Sequence, residues 1–161
     1  MITKSSRIPE HLRIRFWCRW KCRVLWPFAT APERNGCLRI AFRGGTYSFK
    51  TLRGLGSTVQ SVYVRCLPID DDDLAAMSRF RNCEAMDLGG TNITDQGVRC
   101  LTRMPKLQYL FLWHTRISDA AASILMGISH LRMLSLHDTL VSKDGLDKLN
   151  HALPNCLLCP D

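Results

Sequence analysis

Residues 107–117, LQYLFLWHTRI, and residues 131–141, LRMLSLHDTLV, are two copies of one sequence pattern. The chain holds four copies, at Val59–Asp73, Cys83–Gly97, Leu107–Ala121 and Leu131–Gly145, and the interval between successive starts is constant at twenty-four positions. Apolar residues occupy positions one, four, six and eleven of the pattern. A constant period of this length is typical of a solenoid, in which each unit buries its apolar side against its neighbours.

The alternation inside each copy predicts one short strand per unit. Positions four and six are apolar in all units and are expected to point into the core. They are Val62, Met86, Leu110 and Leu134 at position four, and Val64, Leu88, Leu112 and Leu136 at position six.

A helix-start signal follows each predicted strand. Equivalent positions hold Asp70, Thr94, Ser118 and Ser142, whose side chains can accept hydrogen bonds from a first helical turn. Apolar residues three apart come next in each unit, which predicts a short helix with one buried stripe. The acidic run Asp70–Asp73 lacks the spacing of a calcium loop, so we interpret it as a solvated helix N-terminus.

The pattern resembles the leucine-rich repeat, LxxLxLxxNxL, from Val59 to about Val141, with a partial unit that ends at Leu157–Leu158. The chain departs from it at the asparagine position, which holds Leu67, Thr91, Thr115 and Thr139. In the family that side chain bonds to the backbone of the turn, and a threonine hydroxyl can serve the same purpose more weakly, whereas leucine cannot. The resemblance implies an α/β solenoid with a parallel sheet on the concave face and short helices on the convex face.

The N-terminal segment, residues 1–58, differs in charge from the rest. Residues 1–60 contain twelve Lys/Arg and two acidic residues, a net charge of +10, whereas residues 61–161 contain ten and twelve, a net charge of −2. Apolar residues alternate with mostly basic ones from Leu12 to Trp26, which predicts a strand, and a shorter strand is expected around Leu38–Phe42. We therefore predict a basic, strand-rich N-terminal cap or arm at 1–58, and repeats with a C-terminal cap at 59–161.

The eight cysteines show no spacing typical of a disulfide framework, and several replace apolar residues of the pattern. We interpret them as buried free thiols in a cytoplasmic protein without cofactors, although membrane association or export stays open. Cys156 and Cys159 form half of a metal-binding motif, and packed thiols are the favoured interpretation over a metal site. No apolar run reaches the ~18 residues that a membrane-spanning helix needs.

Positions three, five and seven of each strand are expected to face the concave side. Three aromatic residues, Tyr109, Phe111 and Trp113, then form a row, and an exposed row of this kind is typical of a binding surface. The predicted partner-binding residues are Tyr63, Arg65, Asp87, Tyr109, Phe111, Trp113, Met133 and His137.

The favoured function is a non-catalytic module that binds another protein through the concave face. Ser135, His137 and Asp138 are residue types found in hydrolases, but no oxyanion donor is evident beside them, so we do not predict an enzyme. The alternative is binding of nucleic acid or an anionic membrane through a basic patch in the N-terminal segment. The residues of that patch are Arg13, Arg15, Arg19, Lys21 and Arg23.

Overall fold

The computed structural model describes residues 37–39 and 59–159, in which six short strands form one parallel sheet in sequence order. The strands are β1 (Cys37–Arg39), β2 (Ser61–Tyr63), β3 (Ala85–Asp87), β4 (Tyr109–Phe111), β5 (Met133–Ser135) and β6 (Leu157–Cys159). Ser61 lies opposite Ala85, and Ala85 lies opposite Tyr109, so residues at equivalent positions of successive repeats pair with each other. The predicted period is therefore the register of the sheet.

The parallel array begins before Val59. Strand β1 pairs with β2 so that Cys37 lies opposite Ser61, at the same sequence interval as the pairs between the repeats. The predicted short strand around Leu38 is thus confirmed over its first residues, and it continues the register of the repeats. The predicted strand Leu12–Trp26 lies outside the described residues.

Each unit returns to the next strand through a short helix. The helices are α1 (Asp71–Met77), α2 (Asp95–Val98, followed by the 3-10 helix Arg99–Arg103), α3 (Asp119–Leu125) and α4 (Lys143–Ala152). The four predicted N-caps are confirmed, because each side chain accepts a hydrogen bond from a backbone N–H of the first turn. The cap of α1 is an example, since Asp73 N donates to Asp70 Oδ1 at 3.0 Å.

The core lies between the sheet and the helices. The position-four residues of β2 to β5 are fully buried, and so is the apolar stripe of the helices, which includes Leu74, Leu101 and Leu125. Burial of one such side chain contributes about 1.5–3 kcal/mol. Cys83 occupies the first leucine position of its unit and is also fully buried, which confirms the interpretation of this thiol as a core residue.

A tight turn follows strands β2 to β5, and one residue of each turn has a left-handed backbone. These residues are Cys66 (φ 57°), Gly90 (φ 67°), His114 (φ 52°) and Asp138 (φ 54°). The hydroxyl of Thr91 donates to the Leu88 carbonyl at 2.6 Å, and Thr115 and Thr139 make the same bond in their units. Threonine therefore bonds to the turn backbone as predicted, while Leu67 is half-buried at this position of the first unit.

Aspartates at the first helical position link each repeat to the next. Asp71 lies in the first turn of α1, as interpreted from the sequence, but its carboxylate is not simply solvated, because both oxygens accept hydrogen bonds from the following repeat. The same pair of bonds recurs twice. In each case the backbone N and the side-chain hydroxyl of one residue donate to the aspartate of the preceding repeat. The pairs are Thr94 and Asp71 (N 2.9 Å, Oγ1 2.6 Å), Ser118 and Asp95 (N 2.7 Å, Oγ 2.6 Å), and Ser142 and Asp119 (N 2.8 Å, Oγ 2.7 Å).

We call Asp71, Asp95 and Asp119 the aspartate ladder. Its geometry requires a small residue in the next helix, since a Cβ at Gly97 would collide with the Asp71 carboxylate. Lys143 occupies the next position in the series, so the series stops at the fourth repeat.

Candidate partner-binding face

The sheet register brings the predicted concave residues together in columns. Position five of β2 to β5 holds Tyr63, Asp87, Phe111 and Ser135, which are paired neighbours on adjacent strands. Position three holds Ser61, Ala85, Tyr109 and Met133, and all four are half-buried. Neighbours in a column are ~4.8 Å apart, so their side chains form one continuous surface.

Exposure along the aromatic row is uneven. Tyr109 and Trp113 are half-buried, but Phe111 is only 8% exposed, so the expectation that all three rings are open to solvent is wrong for Phe111. Its column neighbours Asp87 and Ser135 are 3% and 5% exposed. Position five lies along the middle of the inner sheet surface, where side chains crowd each other from both sides. The accessible part of the row is therefore Tyr109 and Trp113.

Asp87 is a buried carboxylate on the concave side. Its Oδ1 accepts a hydrogen bond from Gly89 N at 3.2 Å, and the Trp113 side chain also hydrogen-bonds to it. Burial raises the pKa of Asp87, and this effect outweighs the opposing influence of the two hydrogen bonds and of the Arg65 charge. Sequence analysis listed Asp87 among the partner-binding residues, whereas its carboxylate is buried and supports Trp113 through a hydrogen bond.

Three contacts fix the Trp113 indole. It lies over Gly89, where a Cβ would collide with the ring, and its N–H is the donor to Asp87. On the other side it stacks on His137, with ring centroids 5.7 Å apart and an angle of 2° between the planes. Gly89 occupies position seven of its strand, so the missing side chain provides the space that the neighbouring indole fills.

His137 is held in turn by Ser135. Its Nδ1 lies 3.0 Å from Ser135 Oγ, within hydrogen-bond distance, and Ser135 is buried. Asp87 bonds to Gly89 and Trp113, and within residues 59–159 neither Asp87 nor Asp138 has a hydrogen bond to His137. The pair lacks the carboxylate that would orient the imidazole of a hydrolase. We call Asp87, Trp113, Ser135 and His137, together with Gly89, the concave cluster.

The other predicted residues border this cluster. Tyr63 is half-buried on β2, and Arg65 is exposed just after it, close enough to influence the pKa of Asp87. Tyr109 and Met133 are paired neighbours on β4 and β5. The face thus combines three half-buried aromatic side chains (Tyr63, Tyr109 and Trp113), one methionine and a polar surround. The basic patch of the alternative hypothesis lies outside the described residues.

The described cysteines differ in burial: Cys83 and Cys156 are buried, Cys100 and Cys159 are half-buried and Cys66 is exposed, so the prediction of buried thiols is confirmed for two of the five. Cys66, Cys83, Cys100, Cys156 and Cys159 are all free. Burial raises the pKa of Cys83 to about 12 and that of Cys156 to about 11, so both thiols are neutral at ordinary pH. Within residues 59–159 no three His, Cys, Asp or Glu side chains converge as metal ligands would. The helices of this part of the chain are also too short and too polar to cross a bilayer.

Comparison with solved structures identifies the architecture. An LRR protein of Leptospira interrogans superposes with a TM-score of 0.50 at 16% sequence identity, and internalin C2 of Listeria monocytogenes with a TM-score of 0.55 at 20% identity. The matches cover 68% and 70% of this chain, but only 27% and 46% of the two proteins. No protein-family model matches the sequence, and the search of curated proteins found no significant match.

The chain has the leucine-rich-repeat fold. A parallel sheet whose register equals the sequence period, a helix after each strand and the structural matches all agree with that assignment. The class suggested by the sequence pattern is thereby confirmed. Because the identities are only 16% and 20%, the similarity defines the fold and does not transfer a partner or an activity.

Proposed function

We propose that the protein is a non-catalytic module that binds another protein through the concave face of its repeats. The observation that carries the proposal is the half-buried but solvent-accessible Trp113 indole, which is held in one orientation by Gly89, Asp87 and His137. A solvent-accessible tryptophan that is fixed in this way has already lost most of its side-chain freedom. It can therefore contribute to binding without a further entropic cost.

The surroundings of Trp113 support the same proposal. Aromatic side chains dominate the energetics of protein interfaces, and Tyr109 and Met133 extend the accessible surface on the neighbouring positions. Arg65 supplies a charge at the border of the face, where charged groups favour specificity more than affinity. Phe111 and Asp87 act as supports from below, because they are buried.

The alternative function is binding of nucleic acid or an anionic membrane through Arg13, Arg15, Arg19, Lys21 and Arg23. The net charge of +10 in residues 1–60 favours it. Affinity for a phosphate-bearing partner falls steeply with added salt, whereas contact through aromatic side chains does not, so a salt titration separates the two functions.

The double variant Tyr109→Ala/Trp113→Ala tests the proposal, with Leu140→Ala as the matched control. Leu140 is 68% exposed and lies outside the concave columns, so its removal deletes exposed apolar surface elsewhere. Phe111 is left intact because its truncation in a buried position would also lower stability.

Each form is used as bait against proteins of the source cell, and captured proteins are quantified. We expect the wild type and the control to capture at least one partner. The affinity of the double variant for that partner should be about tenfold lower or more, which corresponds to ~1.4 kcal/mol or more of binding free energy. Equal capture by all three forms, with unchanged thermal unfolding, would refute a role for this face.

A further inference from the structure

A row of cations lies along the edge of the sheet where the helices lead back into the strands. Arg79, Arg81, Arg103, Lys106 and Arg132 are all exposed there, and we call them the basic edge. Glu84 is the single acidic residue in the loops 78–84, 103–108 and 126–132. The described part of the chain thus concentrates positive charge on one edge, although residues 61–161 carry a net charge of −2.

Contacts between successive loops make this row continuous. They are Arg81 Nη1 donating to the Arg103 carbonyl (3.0 Å), His130 Nε2 donating to the Met104 carbonyl (3.1 Å) and Arg132 N donating to the Gln108 carbonyl (2.8 Å). Each contact joins one repeat to the next. The cations are therefore spread over three consecutive loops at the spacing of the solenoid.

Apart from the hydrogen bond that Arg81 donates to the Arg103 carbonyl, internal roles do not account for these cations. Within residues 59–159, no ion pair neutralises Arg79, Arg103, Lys106 or Arg132. Basic residues often compensate the partial negative charge at a helix C-terminus, but the last turns of α1, α2 and α3 contain none. Among the five, Arg103 alone lies in the last turn of a helix, the 3-10 helix. The other four follow helix ends and project from loops.

An open cavity of about 620 Å³ lies within the basic edge. Its lining includes Lys106 and Arg132 together with His130 and the amide side chains of Gln108 and Asn155. Cations beside amide donors are the groups that bind phosphate oxygens and sugar hydroxyls in protein–nucleic acid complexes. The cavity is open to solvent, so these groups are accessible to a ligand.

We propose that the basic edge binds the sugar–phosphate backbone of a single-stranded nucleic acid, with Lys106 and Arg132 contacting phosphates at the cavity. A polymer with one negative charge per nucleotide matches cations that recur along the solenoid. A membrane surface fits less well, because the exposed large apolar residues within 59–159 are Leu140 and Leu157, and neither lies on this edge. This site is separate from the concave cluster, and its residues differ from those of the N-terminal basic patch.

The full chain is titrated against a fluorescently labelled oligouridine of about 20 nucleotides, and binding is followed by anisotropy between about 50 and 200 mM salt. The test variant is Arg79→Gln/Lys106→Gln/Arg132→Gln, with one cation removed per loop. The matched control is Arg116→Gln/Lys143→Gln/Lys148→Gln, which removes the same charge at exposed positions outside the basic edge. A third variant replaces Arg13, Arg15, Arg19, Lys21 and Arg23 with Gln.

Each phosphate contact to a single strand contributes about 0.7 to the slope of log affinity against log salt, or about fivefold in affinity at about 0.1 M salt. Loss of three contacts should make the slope shallower by about 2 and lower the affinity about 100-fold. The control should stay within about threefold of the wild type, because only long-range attraction changes. The Tyr109→Ala/Trp113→Ala variant should bind the oligonucleotide normally, so failure here and failure of the concave-face proposal are distinguishable.

Four outcomes would overturn the inference. These are absence of binding at the lowest salt, equal binding by the test and control variants, loss of binding confined to the N-terminal variant, and displacement of the oligonucleotide by polyglutamate of equal charge. The last outcome would identify the edge as a surface for acidic protein segments. It uses the wild-type chain, so it does not depend on the folding of any variant.

Discussion

Substitution of Asp95 by alanine should destabilise the fold far more than its place near the surface suggests. Its carboxylate accepts hydrogen bonds from Ser118 N at 2.7 Å and from Ser118 Oγ at 2.6 Å, and it thereby ties the second repeat to the third. Hydrogen bonds to a charged group contribute about 1.5–3 kcal/mol each, and partial solvation of this site lowers the sum. We expect Asp95→Ala to reduce the free energy of unfolding by about 2–3 kcal/mol.

The matched control is Asp72→Ala. Asp72 is an exposed acidic residue in the first turn of α1, so its removal reproduces the lost interaction with the helix dipole but breaks no link between repeats. Its cost should be below ~1 kcal/mol. Urea unfolding followed by circular dichroism measures both variants, and the m-value shows whether the transition stays cooperative.

A double-mutant cycle with Ser118→Ala assigns the loss to the link itself. The coupling free energy between Asp95 and Ser118 should be at least ~1 kcal/mol, since the two side chains share a hydrogen bond. If Asp95→Ala and Asp72→Ala differ by less than about 0.5 kcal/mol, or if the coupling is zero, the aspartate ladder does not hold the repeats together.

Three further predictions concern carboxylates and the concave cluster. Hydrogen bonds from Ser142 lower the pKa of Asp119 in the folded protein. The stabilising effect of this carboxylate is therefore present above its unfolded pKa of 3.8 and is lost as the pH falls through its folded-state pKa. In acid unfolding titrations, Asp119→Asn should lose less stability below pH 3.8 than the wild type. Burial raises the pKa of Asp87, so its contribution to stability is present below pH 3.8 and is lost as the pH rises through its folded-state pKa. Asp87→Asn should therefore gain stability relative to the wild type between acidic and neutral pH. A difference in unfolding free energy that stays constant over this pH range would contradict the burial argument. Gly89→Ala should displace the Trp113 indole and lower the free energy of unfolding by about 1–3 kcal/mol, measured by thermal unfolding. Tryptophan fluorescence should shift as well, and an unchanged spectrum would show that the position of the ring does not depend on residue 89.

The ladder also explains how a small array of short elements can be cooperative. Each described strand has three residues, and α2 has four, so none of these elements is stable alone. Stability in such arrays comes from the interfaces between neighbouring units. The ladder bonds and the core side chains both act at those interfaces. Loss of one rung should therefore affect the whole array and not a single repeat.

Periodicity alone determined the register, the strand positions and the helix starts. Every residue of a column such as Met86, Leu110 and Leu134 meets the same surroundings in each unit, so a constant spacing of side-chain types is enough to identify which side faces the core. The N-caps followed for the same reason, since Ser118 and Ser142 stand at equal distances from their strands.

Tertiary structure decided how individual side chains use the space that this register leaves. The sequence placed Asp71 and Asp95 at helix starts, but only the packing of one repeat on the next brings their oxygens to the following N-caps. The burial of Phe111 and the position of the Trp113 ring over Gly89 depend on which residues stand on adjacent strands. The contacts of Phe111 and Trp113 involve particular pairs that occur once, and a repeating pattern carries no information about them because it reports what the units share.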